Sequence, residues 1–268
     1  MGHDRPAPHA ADQPESRRRW LSRVEERPLL AALLLTGTLS LLFVLVPELD
    51  RAVTGLFVVD RHFPAADNPW LIALRLAGRI VTRLAVAVLV VLFLAKVFAP
   101  ARVSALEIRR LLFLAGSMAL GPGLMVNLVL KEYWGRPRPR DTDLFGGTFP
   151  FDIPWDWRGG CLTDCSFPSA EASASFWLVA VAFAVPVAWR RRTAIAAFLW
   201  ALVISVNRIA FGGHYLSDVL LAWSLTLLVI LGVREIFLVR MGPNAGARLE
   251  RRLAAFGARV TGRPPPPG

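Results

Sequence analysis

Apolar residues dominate six stretches of the chain, at about 29–47, 83–99, 110–130, 171–189, 193–211 and 218–238. Each is close to the roughly 20 residues that a helix needs to cross the hydrocarbon core of a bilayer. The pattern predicts an all-α fold, a polytopic membrane helix bundle of about six transmembrane helices over 29–238. A polar segment, 1–28, precedes it and a basic segment, 239–268, follows. Between the first two runs, 51–82 mixes Trp70 with several arginines and reads as a short amphipathic helix lying along the interface.

Composition agrees with this reading: 54% of the residues are hydrophobic and the mean hydropathy is +0.47. The formal net charge is +11, carried almost wholly by arginine, since Lys96 and Lys131 are the only lysines. These charges sit beside apolar runs and do not interleave with a stacking platform, so they suit anionic lipid headgroups and topology control, and no nucleic acid is expected as a partner. Arginines cluster at Arg17–Arg19, Arg23 and Arg27, at Arg102, Arg109 and Arg110, at Arg190–Arg192, and at Arg240, Arg248, Arg251 and Arg252. A six-span arrangement puts all four groups on one side, which the positive-inside rule makes cytosolic, with both termini inside. Residues 1–28 are too long and acidic for a signal n-region, so no cleaved peptide is expected. The last 28 residues or so read as a partly disordered tail.

The opposite side then holds 131–170 and 210–217, and the charged chemistry is concentrated there. Cys161 and Cys165 on a non-cytosolic loop read as a local disulfide; the alternative is two free thiols, and a C-x3-C zinc site has no second ligand pair nearby. Three stretches stand at helix ends on this side: KEYWGRPRPR, SFPSAEAS and NRIAFGGHYLSD. Lys131 and Arg138 suit an anion clamp, with interfacial anchoring as the structural alternative. Arg136 and Arg140 are read less firmly, as clamp members or headgroup anchors. Ser169 is placed to cap a helix whose free N–H groups favour phosphate. His214 and Asp218 have i,i+4 spacing, so a carboxylate can orient an imidazole for nucleophilic attack; the plainer reading is a polar turn between spans.

Together the three stretches resemble the signature of the phosphatidic acid phosphatase type 2 superfamily, K-x6-R-P, then P-S-G-H, then S-R-x5-H-x3-D. Lys131 to Arg138–Pro139 matches the first, and the spacing selects Arg138 over Arg136. Arg208, His214 and Asp218 match the third, with Asn207 in place of serine. The resemblance implies a metal-independent lipid phosphate phosphatase without a cofactor, in a bacterial cytoplasmic membrane with its site facing the periplasm. It implies that His214 forms a phosphohistidine, that Asp218 orients it, and that Lys131, Arg138, Ser169 and Arg208 hold the phosphate of a lipid substrate. A phosphotransferase using the same intermediate, a serine hydrolase built on Ser169, and a non-catalytic protein retaining the fold are the alternatives. The serine hydrolase lacks a glycine-rich elbow around Ser169.

The middle motif departs from the family. It reads Pro168-Ser169-Ala170-Glu171, so Glu171 stands where a second histidine normally protonates the leaving oxygen. Glu171 is therefore a candidate catalytic acid. It is also a candidate ligand for a substrate hydroxyl or amine, with acid help from His62. The substitution also fits a substrate with a good leaving group, or lost catalysis.

Overall fold

A computed structural model describes residues 27–103 and 106–262. The N-terminal arginines Arg17–Arg19 and Arg23, and the final GRPPPPG apart from its first residue, lie outside the described residues. The fold is a helical membrane bundle. Among the described residues, five helices are long and apolar enough to cross a bilayer: α1 (Pro28–Leu45), α3 (Pro69–Phe98), α4 (Ile108–Tyr133), α6 (Val187–Ala210) and α7 (Leu216–Arg240). A shorter apolar helix, α5 (Ala170–Ala184), packs among them. Two further helices, α2 (Glu48–Gly55) and α8 (Pro243–Thr261), flank the bundle.

The largest difference from the sequence reading is α3. The expected interfacial helix over 51–82 is divided: α2 takes its first part, and 69–82 forms the first turns of a 30-residue helix. Asn68 and Pro69 explain this. The Asn68 side chain accepts from the Trp70 and Leu71 amides at 2.9 and 3.3 Å, and Pro69 enters at N1, where its missing N–H costs nothing. Arg75 and Arg79 are thereby carried inside a membrane-spanning helix rather than along its surface.

The turn between α5 and α6 also moves. Pro186 disfavours helical geometry at Val185, which is extended, so α5 stops early and Arg190–Arg192 fall in the first turns of α6 instead of in a loop. Within α4, the residues Ala119–Leu130 widen into a π-helix around Pro122, whose ring cannot donate to the ladder; the Asn127 side chain donates to the Pro122 carbonyl at 2.7 Å. Beyond α7, part of the expected disordered tail is α8, packed against the end of α3. Its Gly257 lies so close to the Val97 carbonyl that no side chain would fit, and its Glu250 pairs with the fully buried Lys96.

The helices alternate in direction, so α4 ends where α3, α5 and α7 begin and where α6 ends. That common end carries the three polar stretches. Arg109, Arg110, Arg190–Arg192 and Arg240 mark the other end, where Arg109 donates to the Met241 carbonyl and Arg110 to that of Ala184, each at 2.9 Å.

Candidate active site

The site is assembled from helix ends. α6 closes on Arg208, and the chain turns back through Gly212 and Gly213 into α7. Gly212 has φ +60°, a conformation glycine adopts without strain. At Gly213 a Cβ would sit 2.3 Å from the Arg208 guanidinium, so only glycine lets that side chain fold over the turn. Arg208 and His214 are thereby brought together, exposed to 1% and 2% respectively.

His214 Nδ1 lies 2.8 Å from the Ser166 carbonyl. A carbonyl only accepts, so Nδ1 carries the proton and the Nε2 lone pair is left for chemistry. Burial pushes the pKa of His214 down to about 4; Asp218 opposes this, while Arg208 and Arg138 add to it. The imidazole is therefore neutral at pH 7, the form a nucleophile needs.

Asp218 orients this ring less directly than its spacing suggests. Its carboxylate is 3.8 Å from Nδ1, beyond hydrogen-bond reach. It accepts instead from Ser166 Oγ at 2.5 Å and from the Tyr215 amide at 2.8 Å, closing the first turn of α7. Asp218 thus fixes Ser166, and the carbonyl of Ser166 fixes His214.

Arg136 holds Asp218 from the other side. It is fully buried and donates to Asp218 Oδ1 at 2.6 Å, to Ser217 Oγ at 2.7 Å, to Asp50 Oδ2 at 2.9 Å and to the Asp152 carbonyl at 2.9 Å. It also covers the Tyr215 ring at 4.2 Å. Each nitrogen of this guanidinium is engaged and the side chain is fully buried, so it presents no exposed donor to a lipid headgroup. Asp50, which also accepts from the Ser217 amide at 2.8 Å, ties α2 into the same network.

Lys131 and Arg138 do converge, and Asp164 joins them. Its Oδ1 lies 2.5 Å from Arg138 Nη2 and 3.6 Å from Lys131 Nζ, and its backbone carbonyl accepts from Arg138 Nε at 2.6 Å. Burial raises the Asp164 pKa, but Arg138 and Lys131 outweigh it and hold the carboxyl below its ordinary value. Asp164 lies inside the ring closed by the Cys161–Cys165 disulfide, which the structure contains, and this loop overhangs a polar cavity of about 400 Å³ floored by Lys131 and Asn127. A carboxylate in this position competes with any other anion for the clamp. Asp164→Asn is expected to tighten inorganic phosphate or orthovanadate binding several-fold in a titration; unchanged or weaker binding would mean that Asp164 does not compete.

Ser169 caps α5, accepting from the Ala172 amide at 3.3 Å, and leaves the first amides of the helix without intrahelical acceptors. Glu171, in that first turn, is surrounded by arginine. Arg75 and Arg79 donate to its Oε1 at 3.0–3.3 Å, and Arg208 Nε is 3.4 Å from its Oε2. Arg75 and Arg79 did not emerge from the sequence; the Asn68-Pro69 cap, with arginines four apart behind it, was the available signal. His62 is engaged elsewhere, 2.6 Å from Asp67 on an exposed loop.

Just below these charges lies an apolar groove of about 500 Å³ between α3 and α4, lined by Val86, Leu89, Phe93, Met118 and Pro122 among others. Its upper edge includes Thr82, Asn127 and Ala174, each about one helical turn from Arg79, Lys131 and Glu171 respectively.

Residues 110–241 match the family model described as the PAP2 superfamily. Among curated proteins, the chain is 43% identical over 114 residues to the lipid A 4'-phosphatase of Rhizobium leguminosarum, covering 42% of this chain and 49% of the relative. It is 37% identical over 115 residues to the lipid A 4'-phosphatase of Francisella tularensis subsp. novicida (strain U112), covering 41% and 50%. The chain spans about half the length of the curated relatives it matches. A solved structure, that of a transmembrane PAP2 type phosphatidylglycerolphosphate phosphatase from Bacillus subtilis, aligns with a TM-score of 0.49 and 20% identity, over 78% of this chain and 96% of that one. The matched stretch contains both outer motifs, Lys131 to Arg138–Pro139 and Arg208, His214 and Asp218, so over residues 110–241 the chain is similar to the PAP2 superfamily.

Proposed function

We propose that the protein is a metal-independent lipid phosphate phosphatase of a bacterial inner membrane, working on the periplasmic face through a phosphohistidine. The observation that carries this reading is the hydrogen bond from His214 Nδ1 to the Ser166 carbonyl, which leaves a neutral Nε2 nucleophile among guanidinium groups. Nε2 attacks phosphorus and the bond to the lipid oxygen breaks; that oxygen leaves with a proton drawn from water. Water then attacks phosphorus and gives a proton to the hydroxide left by the first step, the N–P bond breaks, and inorganic phosphate and neutral His214 are regenerated. Arg208, Lys131, Arg138 and the Ser169 end of α5 neutralise the phosphate oxygens, the work a metal ion does elsewhere.

The apolar groove favours an acylated substrate, and the names of the relatives favour a phosphorylated glycolipid of the lipid A type. The arginine-rich end opposite the site favours the cytosolic side for that end of the bundle, where α1 begins and α8 lies. Arg75 and Arg79, which stand at the site end and not among these arginines, are accounted for as partners of Glu171.

Glu171 is better suited to ion pairing than to proton donation, because three guanidinium groups surround its carboxylate. We give it a positioning role. Purified protein in detergent is expected to release inorganic phosphate from lipid phosphates with EDTA present, and Glu171→Gln is expected to lower kcat about tenfold. A fall across the whole range of about 10²–10⁴-fold, with a lost basic limb in the pH profile, would restore Glu171 as the general acid. Phosphate appearing only on an acceptor lipid, never free, would make the protein a transferase.

A further inference from the structure

Arg75 and Arg79 stand one turn apart on α3 and converge on a single oxygen. Both place Nε and Nη2 within 3.0–3.3 Å of Glu171 Oε1. A guanidinium carries five N–H donors in a planar fork. Four nitrogens sharing one acceptor leave most of the pair's donors without a partner among the described residues. Arg208 is in the same condition: it is exposed to only 1%, yet its Nε and Nη1 make no hydrogen bond there. Two like charges at i,i+4 repel, and one shared carboxylate offsets only part of that repulsion.

The position of the pair is as informative as its surplus of donors. The Arg79 side chain is 43% exposed, and Thr82, three residues deeper on α3, already lines the apolar groove. The pair therefore lies at the level where the headgroup of a lipid seated in that groove would be. Lys131 and Arg138, by contrast, are matched to Asp164 on the other side of the site. The cations thus form two groups, each with its own internal carboxylate.

We infer that Arg75 and Arg79 form a second anion subsite, taking a second oxyanion group, phosphate or carboxylate, beside the phosphate that is transferred. This rests on reading the site as one for lipid phosphates. The second oxyanion belongs either to the substrate's own headgroup or to a neighbouring anionic lipid, and the chemistry of recognition is the same for both.

Binding to His214→Gln protein, which lacks the nucleophile, separates this inference from turnover. Two short-chain lipids are compared in neutral detergent: one carries a single phosphomonoester, and the other carries a second phosphomonoester in place of a hydroxyl. A third arm pairs the first lipid with an anionic phospholipid doped into the micelles. The second phosphate is expected to tighten Kd roughly tenfold, about 1.4 kcal/mol. Adding Arg75→Gln and Arg79→Gln should cut that gain below twofold, and the paired lysine variants should recover only part of it. Arg79→Gln alone serves if the double variant does not fold. A gain seen only in the doped arm, and lost with the arginines, supports the subsite and assigns it to a neighbouring lipid. Equal affinities for the two lipids in all arms would overturn the inference. So would arginine variants that weaken both lipids equally, which would make the pair part of the first phosphate's clamp. Phosphate release by the unmodified protein is measured in parallel. Its absence beside an intact tenfold preference would end the phosphatase reading and leave the subsite standing.

Discussion

His214→Gln is expected to reduce phosphate release by roughly 10⁴-fold or more, the scale of losing a covalent nucleophile. His214→Asn, run beside it, keeps an amide N–H at the place of Nδ1, where it can donate to the Ser166 carbonyl, so a loss shared by both variants does not come from an unpaired acceptor. Labelled phosphate should be trapped on the wild-type protein in an acid-labile, alkali-stable form, and not on the variant. A variant retaining a tenth of the activity, or trapped label surviving the substitution, would remove His214 from the nucleophile's role. The pH profile supplies an independent check. Protonation destroys the nucleophile, so activity is lost as pH falls through the pKa of His214. Burial holds that pKa at about 4, below the ordinary value of 6.5. The acid limb of kcat/KM should therefore fall near pH 4 once the substrate's own phosphate titration is subtracted; a limb near 6.5 would contradict the burial of the ring.

The second large effect is on folding. Arg136→Ala would strand Asp50 and Asp218, two fully buried carboxylates that share its guanidinium. Removing one partner of a buried ion pair typically costs about 3–5 kcal/mol. At 2–4 °C per kcal/mol for a chain of this size, the apparent melting temperature in detergent should drop by roughly 10 °C or more. Arg136→Lys should recover little, because an ammonium cannot reach Asp50, Ser217 and Asp218 as a fork does. A melting temperature unchanged by both substitutions would mean that the network does not hold the bundle together. Activity should fall as well, since Arg136 holds Asp218, Asp218 holds Ser166, and Ser166 holds the ring of His214.

Arg136 and Arg138 show where sequence reasoning succeeded and where it stopped. Motif spacing separated them, giving Arg138 and not Arg136 to the proposed clamp. It had no means of giving Arg136 its actual place, because Asp50 and Asp218 are 86 and 82 residues away. The same holds for Glu171, whose partners Arg79 and Arg75 are 92 and 96 residues distant. The misplaced start of α3 has a different origin. Arginines interrupted the apolar run, and hydropathy outweighed the local capping chemistry of Asn68 and Pro69, which sets the boundary.

By itself the sequence determined the helical membrane bundle, the approximate spans, the disulfide pair and the gathering of Lys131, Ser169, Arg208 and His214 at one end. Each of these follows from a local quantity: the length of an apolar run, a spacing within a turn or two, or the alternation of helix direction. Tertiary structure alone decided which charges neutralise which: Asp164 on the clamp, Glu171 among three arginines, and Arg136 as the tie between α2 and α7. Ion pairing acts over a few ångströms and is indifferent to separation along the chain, so it is settled only when the helices have packed.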